Sequence, residues 1–123
     1  MTTAFLLMIL QAVIGLTIMN VWLRRFRMAS PYRGGGAANM SEEFAAYGLP
    51  SWSVWLVGGA KVGLALALLV GIWVKALTEP AAAGLAAFML TAVALHIKVG
   101  DPPVRSAPAA VLLALLILVF FLV

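Results

Sequence analysis

Residues 52–73, WSVWLVGGAKVGLALALLVGIW, decide the fold, because they form 22 almost unbroken apolar positions with one charge, Lys61, near the middle. A helix needs about 20 apolar residues to cross a hydrocarbon core about 30 Å thick. The stretch is therefore predicted to be a transmembrane helix. Because a lysine is costly inside such a helix, Lys61 is a candidate functional residue.

The composition of the whole chain agrees with a membrane protein. Of its 123 residues, 65% are hydrophobic and 10% are charged, whereas soluble domains are about half apolar and about a quarter charged. The 8 Lys and Arg residues outnumber the 4 Asp and Glu residues. They flank apolar runs and form no basic stripe, which indicates contact with a lipid bilayer and no nucleic acid partner. The single His and the lack of Cys argue against a protein-ligated metal ion.

Four apolar runs predict four transmembrane helices, at residues 4–23, 53–77, 81–97 and 108–123. Only helices and closed barrels satisfy the backbone in lipid, and the runs show no alternation of apolar and polar residues. We therefore expect an all-α protein, a four-transmembrane-helix bundle with antiparallel up-down topology. It would form a single integral membrane domain over residues 1–123.

The extended polar segment, residues 24–52, separates the first two runs. Its glycine run at Gly34–Gly36 is expected to be a flexible break. Ser41, followed by two glutamates, is expected to cap a short helix over residues 41–49. The apolar side of this helix would lie in the headgroup layer, which makes it an interfacial helix. A solvated turn is the alternative.

The distribution of Lys and Arg predicts the orientation in the membrane. Loops one and three carry six basic residues, whereas the other side carries Lys75 alone, so both loops are placed in the cytoplasm and both termini outside. The six residues are Arg24, Arg25, Arg27, Arg33, Lys98 and Arg105. The aromatic belt on that side is expected to comprise Trp22, Tyr47, Trp52 and Trp55.

The polar residues near the loop-one end of the helices form the predicted binding site. Lys61 lies about 13 Å deeper than Trp52 at a helical rise of about 1.5 Å per residue, which is further than its side chain is expected to reach back. It should therefore face the bundle interior. Antiparallel helices bring Asn20 and His96 to a similar depth, with Asp101 above them. Ligand binding is thus assigned to Lys61, His96, Asn20 and Asp101. The alternatives are a lysine that binds carbonyls and water, and a histidine that binds a loop.

The second helix also carries a small residue at every fourth position, a pattern that lets another helix approach closely. At 3.6 residues per turn, Lys61 points nearly away from these positions. They are predicted to pack against another helix of the bundle. A homo-oligomer or a contact with a membrane partner would use the same four residues, Gly59, Gly63, Ala67 and Gly71.

Three stretches resemble sequences typical of the DoxX-like family of small four-helix membrane proteins. They are FAAYGLP (44–50), GGAKVGLALALL (58–69) and FMLTAVALHIKVGDPP (88–103). The second resembles the family signature G-x-x-[EK]-x-x-x-A-x-x-L, with Lys61 where many relatives have Glu. By position, His96 falls at the histidine of the family's third helix. The resemblance implies a four-helix bundle in the bacterial inner membrane.

The resemblance implies several roles. Some relatives resemble the small subunit of a thiosulfate:quinone oxidoreductase, some associate with redox or detoxification partners, and animal relatives are assembly chaperones. The first hypothesis is an accessory or ligand- and partner-binding subunit with Lys61 and His96 in its pocket. The second is a quinone-linked membrane oxidoreductase subunit with these residues as proton donors. A small transporter ranks third, because helix one offers only Gln11 and Asn20 where small exporters use a glutamate.

Overall fold

The computed structural model describes residues 2–123, which form four long α-helices and one short one. The long helices are α1 (Thr3–Met19), α3 (Ser53–Val70), α4 (Thr78–Lys98) and α5 (Ala107–Leu122), with the short helix α2 (Met40–Ala46) between α1 and α3. With their adjoining turns, the long helices give four candidate membrane spans, Thr3–Arg24, Ser53–Val70, Lys75–Lys98 and Pro103–Leu122. The prediction of an all-α four-helix bundle with a short helix in the first loop is confirmed.

Each long helix packs against two others. α1 and α4 both contact α3 and α5, so the four helices form a closed ring around a common core. The centre of this core is aliphatic, and every long helix contributes a fully buried side chain to it: Ile14, Leu68, Leu85 and Leu116. In lipid, such close packing supplies the attraction between helices, because the acyl chains are as apolar as the side chains.

The outer surface of the bundle is strongly apolar. Phe121 is 83% exposed, Trp73 79% and Trp55 74%, and many aliphatic side chains are exposed beside them. A soluble monomer does not present contiguous apolar surface on this scale. In a membrane, the same side chains contact acyl chains and the interface.

The end of α1 turns a tryptophan into the bundle. The helix continues into a π-helical turn, Asn20–Arg24, from which Trp22 points inward and is buried. Trp22 fits because it lies against Gly58, where an added Cβ would come within 2.7 Å of the indole ring. Tyr47 is also buried, whereas Trp52 is exposed. The predicted aromatic belt is therefore wrong for Trp22 and Tyr47, which belong to the interior.

The turn between α3 and α4 differs from the prediction. α3 ends at Val70 rather than at residue 77, and α4 begins at Thr78 rather than at residue 81. The chain leaves the helical conformation at Val74, with φ −107° and ψ 85°. Hydropathy does not mark this end, because Ile72, Trp73 and Val74 continue the apolar run beyond Val70.

A buried polar contact closes this turn. The side-chain amide of Gln11 donates to the carbonyl of Leu68 at 2.9 Å and to the hydroxyl of Thr78 at 3.1 Å. That hydroxyl donates to the carbonyl of Gly71 at 3.1 Å. Three helices are thus joined at the end of the bundle opposite loop one, since a polar group at membrane depth needs a partner within the protein.

The short helix α2 covers the loop-one end of the bundle. Its N-cap is Asn39 rather than the predicted Ser41, and the Asn39 side chain accepts from the backbone N–H of Glu42 at 2.9 Å. Its apolar side packs onto the bundle, with Phe44 edge-on to Trp22 at a ring separation of 5.9 Å. This packing fixes α2 against the ends of the long helices.

The small residues at every fourth position, Gly59, Gly63, Ala67 and Gly71, do not all lie in the same environment. Gly71 lies in the turn, where an added Cβ would meet the Thr78 hydroxyl at 2.6 Å. Gly59 and Gly63 face outward, with no atom within 4 Å of an added Cβ. Within the described residues, close helix approach uses other glycines instead, such as Gly15 and Gly84, where a Cβ would overlap a leucine of α3.

Candidate functional site

A cavity of about 590 Å³ lies at the loop-one end of the bundle. The four long helices form its walls, and α2 with the preceding loop covers its end. Small-molecule sites usually have volumes of about 300–1,000 Å³. The polar side chains on its lining include Asn20, Arg25, Arg33, Glu43, Tyr47, Lys61, His96 and Arg105, and the apolar ones include Ile18, Trp22, Phe44, Phe88, Met89 and Leu112.

Lys61 projects from α3 into this cavity. Its ammonium nitrogen lies 5.4 Å from the centroid of the Trp22 ring and 5.7 Å from that of Phe88. Such distances allow a cation–π interaction with both rings. Among residues 2–123, the ammonium has no ion pair and no hydrogen-bond acceptor. Lys61 thus offers one positive charge and three N–H donors to the cavity.

Glu43 on α2 is held by three donors of its own loop. Its carboxylate accepts from the Arg33 guanidinium at 3.0 Å, from the Gly34 N–H at 3.0 Å and from the Tyr47 hydroxyl at 2.8 Å. Arg33 is buried and also donates to backbone carbonyls, including that of Arg25 at 2.6 Å. Glu43 is therefore bonded within loop one and forms no ion pair with Lys61, although its negative charge still acts on the ammonium.

A second carboxylate, that of Asp101, holds His96 in place. It accepts from Nδ1 of His96 at 2.8 Å, from the Arg105 guanidinium at 2.6 Å and from the Gly35 N–H at 3.0 Å. Although burial by itself raises the pKa of Asp101, the hydrogen bonds from His96, Gly35 and Arg105 bring that pKa below its ordinary value. Asp101 is thus an ionised acceptor that fixes the orientation of the imidazole ring.

Tyr47 connects the two carboxylate clusters. Its hydroxyl donates to Glu43 and lies 3.4 Å from Nε2 of His96. Burial and, after it, the negative charge of Glu43 raise the pKa of this hydroxyl far above its ordinary value, so it stays a donor. The hydroxyl has a single hydrogen, and with that hydrogen donated to Glu43 the Tyr47 oxygen can only accept from Nε2 of His96.

The predicted site residues divide into two groups. Lys61, His96 and Asn20 line the cavity, although Asn20 lies at its exposed edge. Asp101 is not on the lining; its carboxylate is only 2% exposed and binds behind His96. Asp101 therefore contacts His96 rather than the cavity.

The sequence does not place the residues that surround Lys61 and His96 in one cavity. It predicts Trp22 at the membrane interface and Arg33 as a loop charge. Glu43 and Tyr47 stand four positions apart on α2, a spacing that brings side chains together on one helix face. That spacing was a usable signal. The prediction of a flexible break at Gly34–Gly36 is also wrong. These residues form a 3₁₀ turn, in which the N–H of Gly34 binds Glu43 and the N–H of Gly35 binds Asp101.

Four apolar spans around a partly polar cavity define an integral membrane protein. Within residues 2–123, no group of three or more His, Asp or Glu side chains could hold a metal ion.

The model of the DoxX-like family matches residues 32–119, and the chain belongs to this family. The matched region includes Lys61, His96 and Asp101, whereas α1 and the turn that carries Trp22 precede it. No curated protein and no solved structure matches the chain.

Proposed function

We propose that the protein is an accessory, ligand-binding membrane protein whose cavity holds an amphipathic small molecule. The head group of this molecule would accept hydrogen bonds or carry negative charge. The observation that carries the proposal is the Lys61 ammonium, which lies between two aromatic rings without a protein acceptor. The ammonium is open to the cavity, so a ligand that supplies an acceptor would gain a charge-assisted hydrogen bond there.

The rest of the cavity suits the same kind of ligand. Phe88, Met89 and Leu112 provide an apolar wall for a hydrocarbon portion. His96 and Tyr47 lie on the lining of the same cavity and offer further polar contacts for the head group. Such a division into an apolar wall and few placed polar groups is typical of small-molecule sites.

A quinone-linked role is the second candidate, favoured by the hydrogen-bonded chain behind His96. The two carbonyl oxygens of a quinone accept hydrogen bonds; Lys61 offers donors from one wall of the cavity, and His96 lies on another wall. Asp101 orients His96, and Tyr47 links it to Glu43, so the chain can redistribute a proton next to the cavity. Electrons would have to come from a partner protein, which fits an oxidoreductase subunit.

The membrane placement is part of the proposal. The spans fit a bilayer by length and composition. Loops one and three would face the cytoplasm of a bacterial cell and both termini the outside, because the basic residues concentrate in these loops. The covered end of the cavity would then lie at the cytoplasmic interface.

The first test identifies what the protein carries. Wild-type protein and two variants, Lys61→Met and the control Lys75→Met, are purified from membranes and their lipophilic contents are measured by mass spectrometry. Loss of a charge-assisted hydrogen bond costs about 1.5–3 kcal/mol, which is about tenfold or more in affinity. An amphiphile enriched in the wild type and in Lys75→Met should therefore fall about tenfold in Lys61→Met. Equal contents in all three proteins would contradict the proposal.

A further inference from the structure

A second concave surface lies on the outside of the bundle, where the end of α1 meets the start of α3. This groove has a volume of about 620 Å³. Its floor includes Gly58 and Gly59, which have no side chains to fill it. Phe26 and Trp55 line it as a stacked aromatic pair, with ring centroids 5.8 Å apart at 21°. Trp22 separates the groove from the Lys61 cavity, since it lines both.

The basic residues of the groove differ from three others on the loop side. Arg33 is bound to Glu43, Arg105 to Asp101, and the ammonium of Lys98 to a backbone carbonyl. Arg24 and Arg27 line the groove and are exposed. Among residues 2–123, their guanidinium groups take part in no ion pair. Two free guanidinium groups thus stand above an apolar groove.

We propose that this groove is a binding site for an anionic phospholipid. The phosphate would bind to Arg24 and Arg27, because guanidinium groups match phosphate oxygens in charge and geometry. One acyl chain would lie over Gly59 and continue past Gly63, two positions at which the surface is open. Trp55 would lie at the headgroup level, as interfacial tryptophans do. A zwitterionic lipid would bind less well, because its ammonium group would face the same two arginines.

Native mass spectrometry of the detergent-solubilised protein tests this site. The protein is mixed with equal amounts of dioleoyl phosphatidylglycerol and dioleoyl phosphatidylcholine, and the retained lipids are counted. We expect the wild type to retain phosphatidylglycerol preferentially, and Arg24→Gln/Arg27→Gln to bind it about tenfold or more weakly. The control Lys75→Gln, at the opposite end of the bundle, should bind like the wild type. Equal retention of both lipids by the wild type would overturn the proposal, as would an unchanged double variant.

A second variant keeps both arginines and fills the groove instead. Gly59→Leu places a side chain where the structure has no atom within 4 Å of a Cβ, so folding should be preserved. The preference for phosphatidylglycerol should fall, with no change in oligomeric state. If Gly59→Leu left lipid retention unchanged but dissociated a dimer of the wild type, the groove would be a contact between two copies of this chain and the proposal would be wrong.

Discussion

Gly58→Ala tests the packing of Trp22 against α3, because the added methyl group would overlap the Trp22 ring. An added Cβ would lie 2.7 Å and 2.8 Å from two carbons of the Trp22 ring. Carbon atoms pack at about 3.5–4.0 Å, so the ring would have to move by roughly 1 Å. Phe26 and Phe44 limit that movement, with ring centroids 6.0 Å and 5.9 Å from Trp22. Overpacking of this kind costs about 1–3 kcal/mol.

The neighbouring residue provides a matched control. Gly59→Ala adds the same methyl group to the same helix at a position with nothing within 4 Å. Both substitutions gain helix propensity of about 1 kcal/mol, which cancels when the two variants are compared. The free energy of unfolding of Gly58→Ala should therefore be about 1–3 kcal/mol below that of Gly59→Ala.

Denaturant unfolding in mixed micelles, followed by circular dichroism, measures this difference. The fluorescence of Trp22 should change in Gly58→Ala as well, because the ring moves relative to the Lys61 ammonium. Replacing the three exposed tryptophans by Phe isolates that signal, at Trp52, Trp55 and Trp73. Equal stability of the two alanine variants, with an unchanged Trp22 spectrum, would refute the packing described for this wall.

Two further predictions concern Asp101 and the orientation in the membrane. Asp101→Asn should lower the free energy of unfolding by about 1.5–3 kcal/mol near pH 7, since it weakens the hydrogen bonds that His96, Arg105 and Gly35 make to the carboxylate. Because the pKa of Asp101 is lowered in the folded state, the ionised carboxylate stabilises the fold above its ordinary pKa of about 3.9, and this stabilisation is lost as pH falls through the lowered value. In thermal unfolding, the difference in stability between wild type and Asp101→Asn should therefore be smaller at about pH 3 than at pH 7. A difference that does not change with pH would contradict this. For orientation, single cysteines introduced by Arg27→Cys and Lys75→Cys are treated with a membrane-impermeant maleimide: only Lys75→Cys should react in intact cells, and the reverse pattern would invert the predicted topology.

The fold could be predicted because the membrane imposes it on the sequence. Runs of about 20 apolar residues have few alternatives to a transmembrane helix, and four such helices are present. The ends of the helices were less accessible to prediction. α3 stops at Val70 because the contacts of Gln11 and Thr78 close the turn there, and these contacts join residues far apart in the chain.

The candidate site could be predicted only in part. Lys61 could be identified because it is the one charge inside an apolar run. His96 could be placed near it because antiparallel helices bring the two residues to a similar depth. The role of Asp101 depends on a bend at Gly100, where φ is +73°, which returns the chain toward His96. The position of Arg33 depends on long-range contacts within loop one. Neither hydropathy nor spacing contains that information, because the loop takes its shape from hydrogen bonds to both carboxylates.

The most direct test of the Lys61 cavity uses Trp22 as its reporter, since the indole lies 5.4 Å from the ammonium. The protein with Trp22 as its sole tryptophan is titrated with a brominated fatty acid and with a short-chain quinone, both of which quench indole fluorescence. We predict saturable quenching by at least one of them, with a dissociation constant about tenfold higher in Lys61→Met and unchanged in Lys75→Met. Quenching that never saturates, or an identical dissociation constant in Lys61→Met, would contradict a ligand site at Lys61.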